Sequence, residues 1–197
     1  MIRYGCAIVA LALATAGCGG TTTPAANSGE PANTTLPIEN EALPIENGAE
    51  GAETATASLQ KADGTPAGSA IATVTPEGLS VAVSVTGITA GDHGVHVHMT
   101  GKCEGPKFET AGSHWNPNST KHGLENPDGA HAGDMPNLTV ADDGTGTLTF
   151  VLKSGTMAQL LDADGSAFVV HAGPDDQKTD PSGNSGDRVA CGVFAAG

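Results

Sequence analysis

The segment HGVHVH, residues 93–98, places two histidines at alternate positions of an apolar run. This spacing is typical of a β-strand, in which the side chains of His96 and His98 project from the same face, about 7 Å apart at Cβ. Two imidazoles in this arrangement can converge on one metal ion. His93 lies three residues before His96 and so points to the opposite face. We therefore predict that His93 is structural and donates a hydrogen bond to a backbone carbonyl.

Seven further short segments surround this strand and show the alternation or length of β-strands. In residues 79–85, for example, four apolar side chains share one face. Gly-rich turns such as KADG and TPEG separate the segments. The eight predicted strands are residues 54–59, 70–75, 79–85, 94–99, 138–140, 145–152, 167–171 and 189–194. This pattern predicts an all-β sandwich or barrel.

Two long segments, residues 100–136 and 172–187, show no strand pattern, and each directly follows a histidine-bearing strand. Loops of this length in a compact domain are usually functional. Imidazole suits copper and zinc equally, and a carboxylate adds an oxygen that zinc accepts. The candidate ligands are His96, His98, His114, His122, His131, Asp134 and His171. Seven ligands exceed the four of one tetrahedral ion, so two ions that share a ligand fit the count better.

The composition sets broader limits on function. A chain of 197 residues with 28 Gly, 12 Pro and few aromatic residues indicates one turn-rich β domain with extensions. The formal net charge of -14 argues against nucleic acid as a partner, because phosphates would be repelled. An anionic substrate would have to be attracted by local positive charge.

The N-terminal residues predict export. Residues 1–18 combine one positive charge, a short apolar run and the ending TAGC, which predicts a signal peptide. The ending resembles a bacterial lipoprotein signal, in which Cys18 becomes lipidated, but Thr15 departs from that pattern and simple secretion stays open. Either way we expect the protein in the periplasm or cell envelope, with membrane contact only through a lipid anchor. Residues 19–52 predict a disordered linker, and residues 53–197 a folded domain.

Five motifs together carry a resemblance to a known family. They are HGVHVH at 93–98, AGSHWNP at 111–117, KHG at 121–123, HAGD at 131–134 and GNSGDRVACGV at 183–193. In this order they resemble the copper/zinc superoxide dismutase family, and the resemblance covers the whole predicted domain. It implies an eight-stranded antiparallel Greek-key sandwich or barrel with two long functional loops. It also implies one copper and one zinc per subunit, with superoxide as the substrate.

The resemblance also assigns roles to individual residues. It implies that copper is bound by His96, His98, His114 and His171, and zinc by His114, His122, His131 and Asp134. His114 would then bridge the metals and carry a proton, and Arg188 would orient superoxide, so both are predicted to be catalytic. Asp175 matches a carboxylate that links ligands of the two metals, although Asp176 is adjacent. Such contacts fix the orientation of ligand rings.

Cys103 and Cys191 match the intrachain disulfide of the family. An exported chain permits this bond, which would pin the first long loop to the last strand and hold Arg188 steady. Lys178 is a candidate for guiding the anion, with a solvated surface lysine as the alternative.

The expected function is dismutation of superoxide to dioxygen and hydrogen peroxide, which would protect the cell envelope. The alternative is a copper- and zinc-binding module without catalysis on the same fold. The presence of all four copper positions and Arg188 favours the enzyme. Family members pair through different surfaces, so a homodimer stays open and the sequence identifies no interface.

Overall fold

The computed structural model describes Gly51 and residues 53–197. Within this part of the chain nearly all regular structure is β-strand. The strands are β1 (Thr54–Lys61), β2 (Pro66–Thr75), β3 (Gly78–Val85), β4 (Gly91–His93), β5 (Val95–His98), β6 (Leu138–Val140), β7 (Gly146–Leu152), β8 (Ala167–His171) and β9 (Arg188–Ala196). The helical segments are a 3-10 turn, Glu109–Ala111, and α1, Met157–Leu160.

Seven strands form one curled antiparallel sheet in the order β5-β8-β9-β1-β2-β3-β7, and β4 pairs with β6 in a second, two-stranded sheet. The chain leaves β3 near one edge of the large sheet and reaches β5 at the other edge, so the strands on either side of this crossover are not neighbours. The predicted all-β antiparallel fold is confirmed. The predicted number of eight strands is wrong for the described residues, because the three-residue strand β4 is too short to show alternation.

The core lies on one face of the large sheet, and β3 shows why the sequence folds this way. Leu79, Val81, Val83 and Val85 are all buried, while the residues between them are not. Alternate apolar side chains therefore pack inward, as the period of a strand requires.

Strand β8 is buried on both faces. Phe168 and Val170 join the main core, whereas Ala167 and Val169 pack in a second cluster with Phe108 from the first long loop. The loop that follows β5 thus covers the outer face of the sheet. This cover encloses the histidines of β5 and β8.

The predictions for the N-terminal region lie outside the described residues. They are the signal peptide at residues 1–18, lipidation at Cys18 and the linker at residues 19–52. Among the described residues, no helix is long and apolar enough to cross a membrane.

Candidate metal centre

The first long loop returns alongside β5 and brings its own ligands next to those of the strand. His96 forms a β-bridge with Asp134, and His98 forms one with His114. The backbone of the loop approaches β5 closely at Gly133, where an added Cβ would collide with the carbonyl oxygen of Val97. Only glycine fits this contact, so the motif HAGD needs its glycine for the loop to reach the strand.

Four histidines form the first of two ligand groups. The potential ligand atoms of His96, His98, His114 and His171 all lie within 4.8 Å of one another, and all four residues are buried. We call this set the copper group. The strand pair β5–β8 carries three of its members, and the loop supplies the fourth.

Hydrogen bonds leave one free nitrogen on each ring of the copper group. Nδ1 of His98 donates to the carbonyl of Gly112 at 2.9 Å, and Nδ1 of His171 donates to the carbonyl of Gly186 at 3.1 Å. Their Nε2 atoms then face each other at 3.4 Å. Nδ1 of His96 and Nε2 of His114 are buried without a hydrogen-bond partner. Buried nitrogens without partners are costly unless a ligand satisfies them, so this geometry fits a metal ion.

The second group, which we call the zinc group, consists of His114, His122, His131 and Asp134. Oδ1 of Asp134 lies 3.0, 3.1 and 3.2 Å from the Nδ1 atoms of the three histidines. Its Oδ2 accepts hydrogen bonds from the amides of Gly123 and His131, at 2.8 and 2.9 Å. Because the backbone holds Oδ2, Oδ1 stays directed at the rings. Three nitrogens and one oxygen match the ligand number and type of a tetrahedral zinc site.

His114 belongs to both groups. Its Nδ1 faces Asp134, and its Nε2 is the unpartnered nitrogen on the side of the copper group. The ring stacks on His96, with centroids 3.8 Å apart. One imidazole can therefore offer a ligand atom to each of two ions.

Asp175 contacts a ring from each group. Its Oδ2 accepts from Nε2 of His96 at 2.5 Å, and its Oδ1 accepts from Nε2 of His122 at 3.0 Å. The neighbouring Asp176 is exposed and instead accepts from loop amides. Asp175 therefore fixes the orientation of ligands in both groups.

Sequence reasoning missed two residues that hold Asp175 in place. The side chain of Asn137 bonds both backbone groups of Asp175, at 2.8 and 2.9 Å, and the amide of Gln177 donates to the Asp175 carboxylate at 2.6 Å. Asn137 stands three residues after Asp134, between a proline and strand β6. Its proximity to a ligand was the only signal available, because its partner is remote in sequence.

The protonation states of the copper-group rings suit metal binding. Burial lowers the pKa of His96 to about 3, against the opposing effect of Asp175, and lowers that of His171 to about 4. These rings are neutral at pH 7 and keep a lone pair for a metal. For His122, burial is outweighed by hydrogen bonds to Asp134 and Asp175, which raise the pKa to about 9, so a metal ion that binds this ring displaces a proton from it. The contacts of Asp134 with the zinc-group histidines hold its pKa far below the usual range, so this carboxylate is charged.

The first long loop holds Arg188 in place. The guanidinium donates to the carbonyls of Phe108 and Gly112, at 2.6 and 2.7 Å. Gly112 also accepts from His98, so one carbonyl positions both a candidate copper ligand and the arginine. The predicted disulfide is confirmed: Cys103 and Cys191 are bonded, with 5.7 Å between their Cα atoms. It joins the loop that carries these carbonyls to β9, the strand that begins with Arg188.

A cavity of about 710 Å³ opens beside Arg188 and is also lined by Lys61 and Lys107. The proposed guide residue Lys178 is not in its lining. Lys178 instead pairs with Glu125, with 2.7 Å between Nζ and Oε2. Its positive charge is therefore largely compensated by a neighbouring carboxylate, which favours the surface-lysine alternative.

His93 lies outside both metal groups, as expected from its position on the opposite face. Its Nδ1 donates to the carbonyl of His171 at 2.7 Å, and its Nε2 lies 2.9 Å from the carbonyl of Thr89. The predicted structural role is confirmed. This ring ties the end of β8 to the turn before β4.

Comparison with known proteins places this geometry in a family. Residues 66–194 match the family model described as copper/zinc superoxide dismutase. The chain belongs to the copper/zinc superoxide dismutase family. Its relatives include the superoxide dismutase [Cu-Zn] of Caulobacter vibrioides, which is 44% identical over 147 residues, covering 71% of this chain and 84% of the relative.

Two solved structures extend the comparison. The Cu/Zn superoxide dismutase of Brucella abortus has a TM-score of 0.62 and 32% identity, covering 73% of this chain and all of that one (100%). A superoxide dismutase-like protein of Bacillus subtilis has a TM-score of 0.65 and 39% identity, and the match covers 71% of this chain and 97% of that one. The chain is accordingly an enzyme of the superoxide dismutase type, with copper and zinc as cofactors and superoxide as substrate.

Proposed function

We propose that the chain dismutates superoxide with copper in the copper group and zinc in the zinc group, and that His114 bridges the two ions. The observation that supports this proposal most directly is the orientation of His114, which directs one ring nitrogen to each group. When bound, copper exchanges one electron with each of two superoxide ions, which yields dioxygen and, with two protons, hydrogen peroxide. Zinc offers no redox change and supports the ring from the other side.

The residues of the chain supply binding and protons. Arg188, with its side chain held by two carbonyls, lies close enough to His98 and His171 to lower their pKa values, so it presents positive charge to an anion beside the copper group. Nε2 of His114 is the buried nitrogen that would take up a proton and deliver it to the product. Hydrogen bonds from His96 to Asp175 and from His114 to Asp134 of the zinc group keep the two rings in a fixed orientation while this proton moves.

The test measures copper, zinc and superoxide dismutation on the same purified sample, with His171→Ala and Arg188→Ala alongside. We expect one copper and one zinc per chain in the parent. His171→Ala should lose copper and activity but keep zinc, because His171 belongs to the copper group alone. Arg188→Ala should keep both metals and lose most of its activity. Full metal content without activity in the parent would instead favour the non-catalytic binding module. The similarity to a superoxide dismutase-like protein is the reason to test this alternative.

A separate measurement tests the bridge. Cu(II) placed in both groups should be magnetically coupled if one deprotonated imidazole joins the ions, so its electron paramagnetic resonance signal should weaken. His114→Ala should abolish that coupling. Two independent copper signals in the parent protein would contradict a bridging His114.

We also propose that the protein works in the cell envelope as a lipid-anchored enzyme. The support is the N-terminal sequence alone, with its apolar run and the ending TAGC before Gly19. Cell fractionation and labelling with a radioactive fatty acid test this, with Cys18→Ser as the control. An unlabelled, soluble parent protein in the periplasm would support secretion without a lipid. A homodimer stays a prediction that sedimentation can test.

A further inference from the structure

A groove of about 440 Å³ leads from the surface to the zinc group. Two zinc-group histidines, His114 and His131, form part of its wall, and three carboxylates line it: Asp162 and Asp164 from the turn before β8, and Asp180 from the second long loop. These three side chains are exposed. The groove therefore connects solvent-facing negative charge with two buried imidazoles.

The carboxylates of Asp162 and Asp164 are free to attract a cation. Within the described residues neither forms an ion pair. Asp180, in contrast, is engaged by Lys121 at 3.1 Å and by the amide of His122 at 2.9 Å. Two uncompensated carboxylates at the groove raise the local concentration of divalent cations.

His131 links the groove to the metal group. It is only 8% exposed, and its Nδ1 is buried without a hydrogen-bond partner, 3.2 Å from Oδ1 of Asp134. Its Nε2 lies 4.0 Å from Oδ1 of Asp180. The unpartnered Nδ1 faces the zinc group and Nε2 faces the groove, so this one ring lies between the acidic groove and the metal group.

We propose that this groove captures divalent cations and delivers them to the zinc group. Asp162 and Asp164 attract the hydrated ion at the surface, and His131 is the first zinc-group ligand that the ion meets. The inference rests on the proposed binding of zinc by this group. Delivery through the groove affects the rate at which the zinc group takes up metal and does not change which residues bind the metal afterwards.

The test compares metal uptake by the full-length chain after removal of its metals, with retention of fold checked by circular dichroism. Cobalt(II) serves as the probe, because it quenches the fluorescence of Trp115, the single tryptophan of the chain, which lies next to His114 and lines the groove. The variant Asp162→Asn with Asp164→Asn removes two charges. The amide oxygen introduced at position 162 can still accept the turn hydrogen bonds that Asp162 receives from residues 164 and 165.

The matched control is Asp142→Asn with Asp143→Asn. It changes the net charge equally in another exposed turn, where Asp143 accepts from the amide of Thr145, and it lies outside the groove. Uptake by the groove variant should be roughly fivefold slower at about 10 mM salt and nearly normal at about 1 M salt, where charges are screened within about 3 Å. The control should match the parent at both salt concentrations.

Equal uptake rates for the groove variant, the control and the parent at low salt would overturn the groove proposal while leaving the zinc group intact. Final zinc content, measured by mass spectrometry, separates the proposal that the zinc group binds zinc from the proposal that the groove delivers the ion. A parent chain that binds no zinc would overturn both. A groove variant that takes up metal at the parental rate but retains less of it would also contradict a role in delivery.

Discussion

Removing the Cys103–Cys191 bond should cost stability and activity together. The bond closes a loop of 88 residues. In the chain-entropy model this loop length corresponds to about 4.6 kcal/mol, near the upper end of the usual range for native disulfides. For a domain of this size, the melting temperature should fall by roughly 10–15 °C. Cys103→Ser with Cys191→Ala is the suitable variant, because Cys191 is buried among apolar side chains and a hydroxyl there would lack a partner.

The loss of activity follows from the position of the bond. The released loop carries the carbonyls of Phe108 and Gly112 that hold Arg188. With metal content matched, kcat/KM of the variant should fall between that of the parent and that of Arg188→Ala, which should itself lose roughly tenfold or more.

Urea unfolding and stopped-flow superoxide decay measure the two effects. The parent reduced with dithiothreitol provides the control, since it loses the same bond without any substitution. A loss of stability below about 1 kcal/mol in both samples would contradict the estimate. Parental kcat/KM in both samples, with Arg188→Ala impaired, would show that the bond does not position the arginine.

Three more predictions concern the surroundings of the metals. Asp175→Asn cannot accept from both rings that now share the carboxylate, so at least one metal should bind 10- to 100-fold more weakly, as chelator competition would show. The metal-free protein should lose stability as pH falls from 7 to 5. His96 and His171, with lowered pKa values, gain protons only on unfolding, which lowers the free energy of unfolding by about 2 kcal/mol each. His98 and His114, whose pKa values burial also lowers, add to this loss, while His122, with its raised pKa, offsets about 1 kcal/mol. Urea titrations should therefore show a net loss of more than about 3 kcal/mol. Because Lys178 pairs with Glu125 and lies outside the cavity beside Arg188, Lys178→Glu should leave superoxide decay nearly unchanged at low salt. A severalfold slower rate at low salt that recovers at high salt would instead assign Lys178 to substrate guidance.

The sequence allowed good predictions where the local pattern determines the structure. Strand β3 was readable because its apolar side chains alternate and only one face is buried. Strand β2 was predicted to start at residue 70 but starts at Pro66, since Pro66 and Gly68 are poor strand formers and the register shifts opposite them. In such a segment, pairing with neighbouring strands decides the conformation rather than local propensity.

The site was predictable to the extent that its chemistry resides in side chains. Histidines and an aspartate in the order of a known family indicate the ligand groups from the sequence alone. The groups that hold Arg188 and Asp175 are different in kind. They are the carbonyls of Phe108 and Gly112 and the side chain of Asn137, which reaches across 38 residues of sequence. Any residue can offer a carbonyl, so only the path of the loop determines which ones contribute.

The distribution of charge explains how a chain of net charge -14 can serve an anionic substrate. The cavity beside Arg188 is lined by three cations, Lys61, Lys107 and Arg188, and by an equal number of carboxylates, so it is more positive than the average surface of this protein. The groove at the zinc group carries carboxylates, including Asp162 and Asp164, and no lysine or arginine. Because fields are screened beyond about 8 Å at physiological salt, each opening acts largely through its own charges. Two openings of different charge can therefore admit an anion beside the arginine, which the overall charge alone would disfavour, and a cation beside the zinc group.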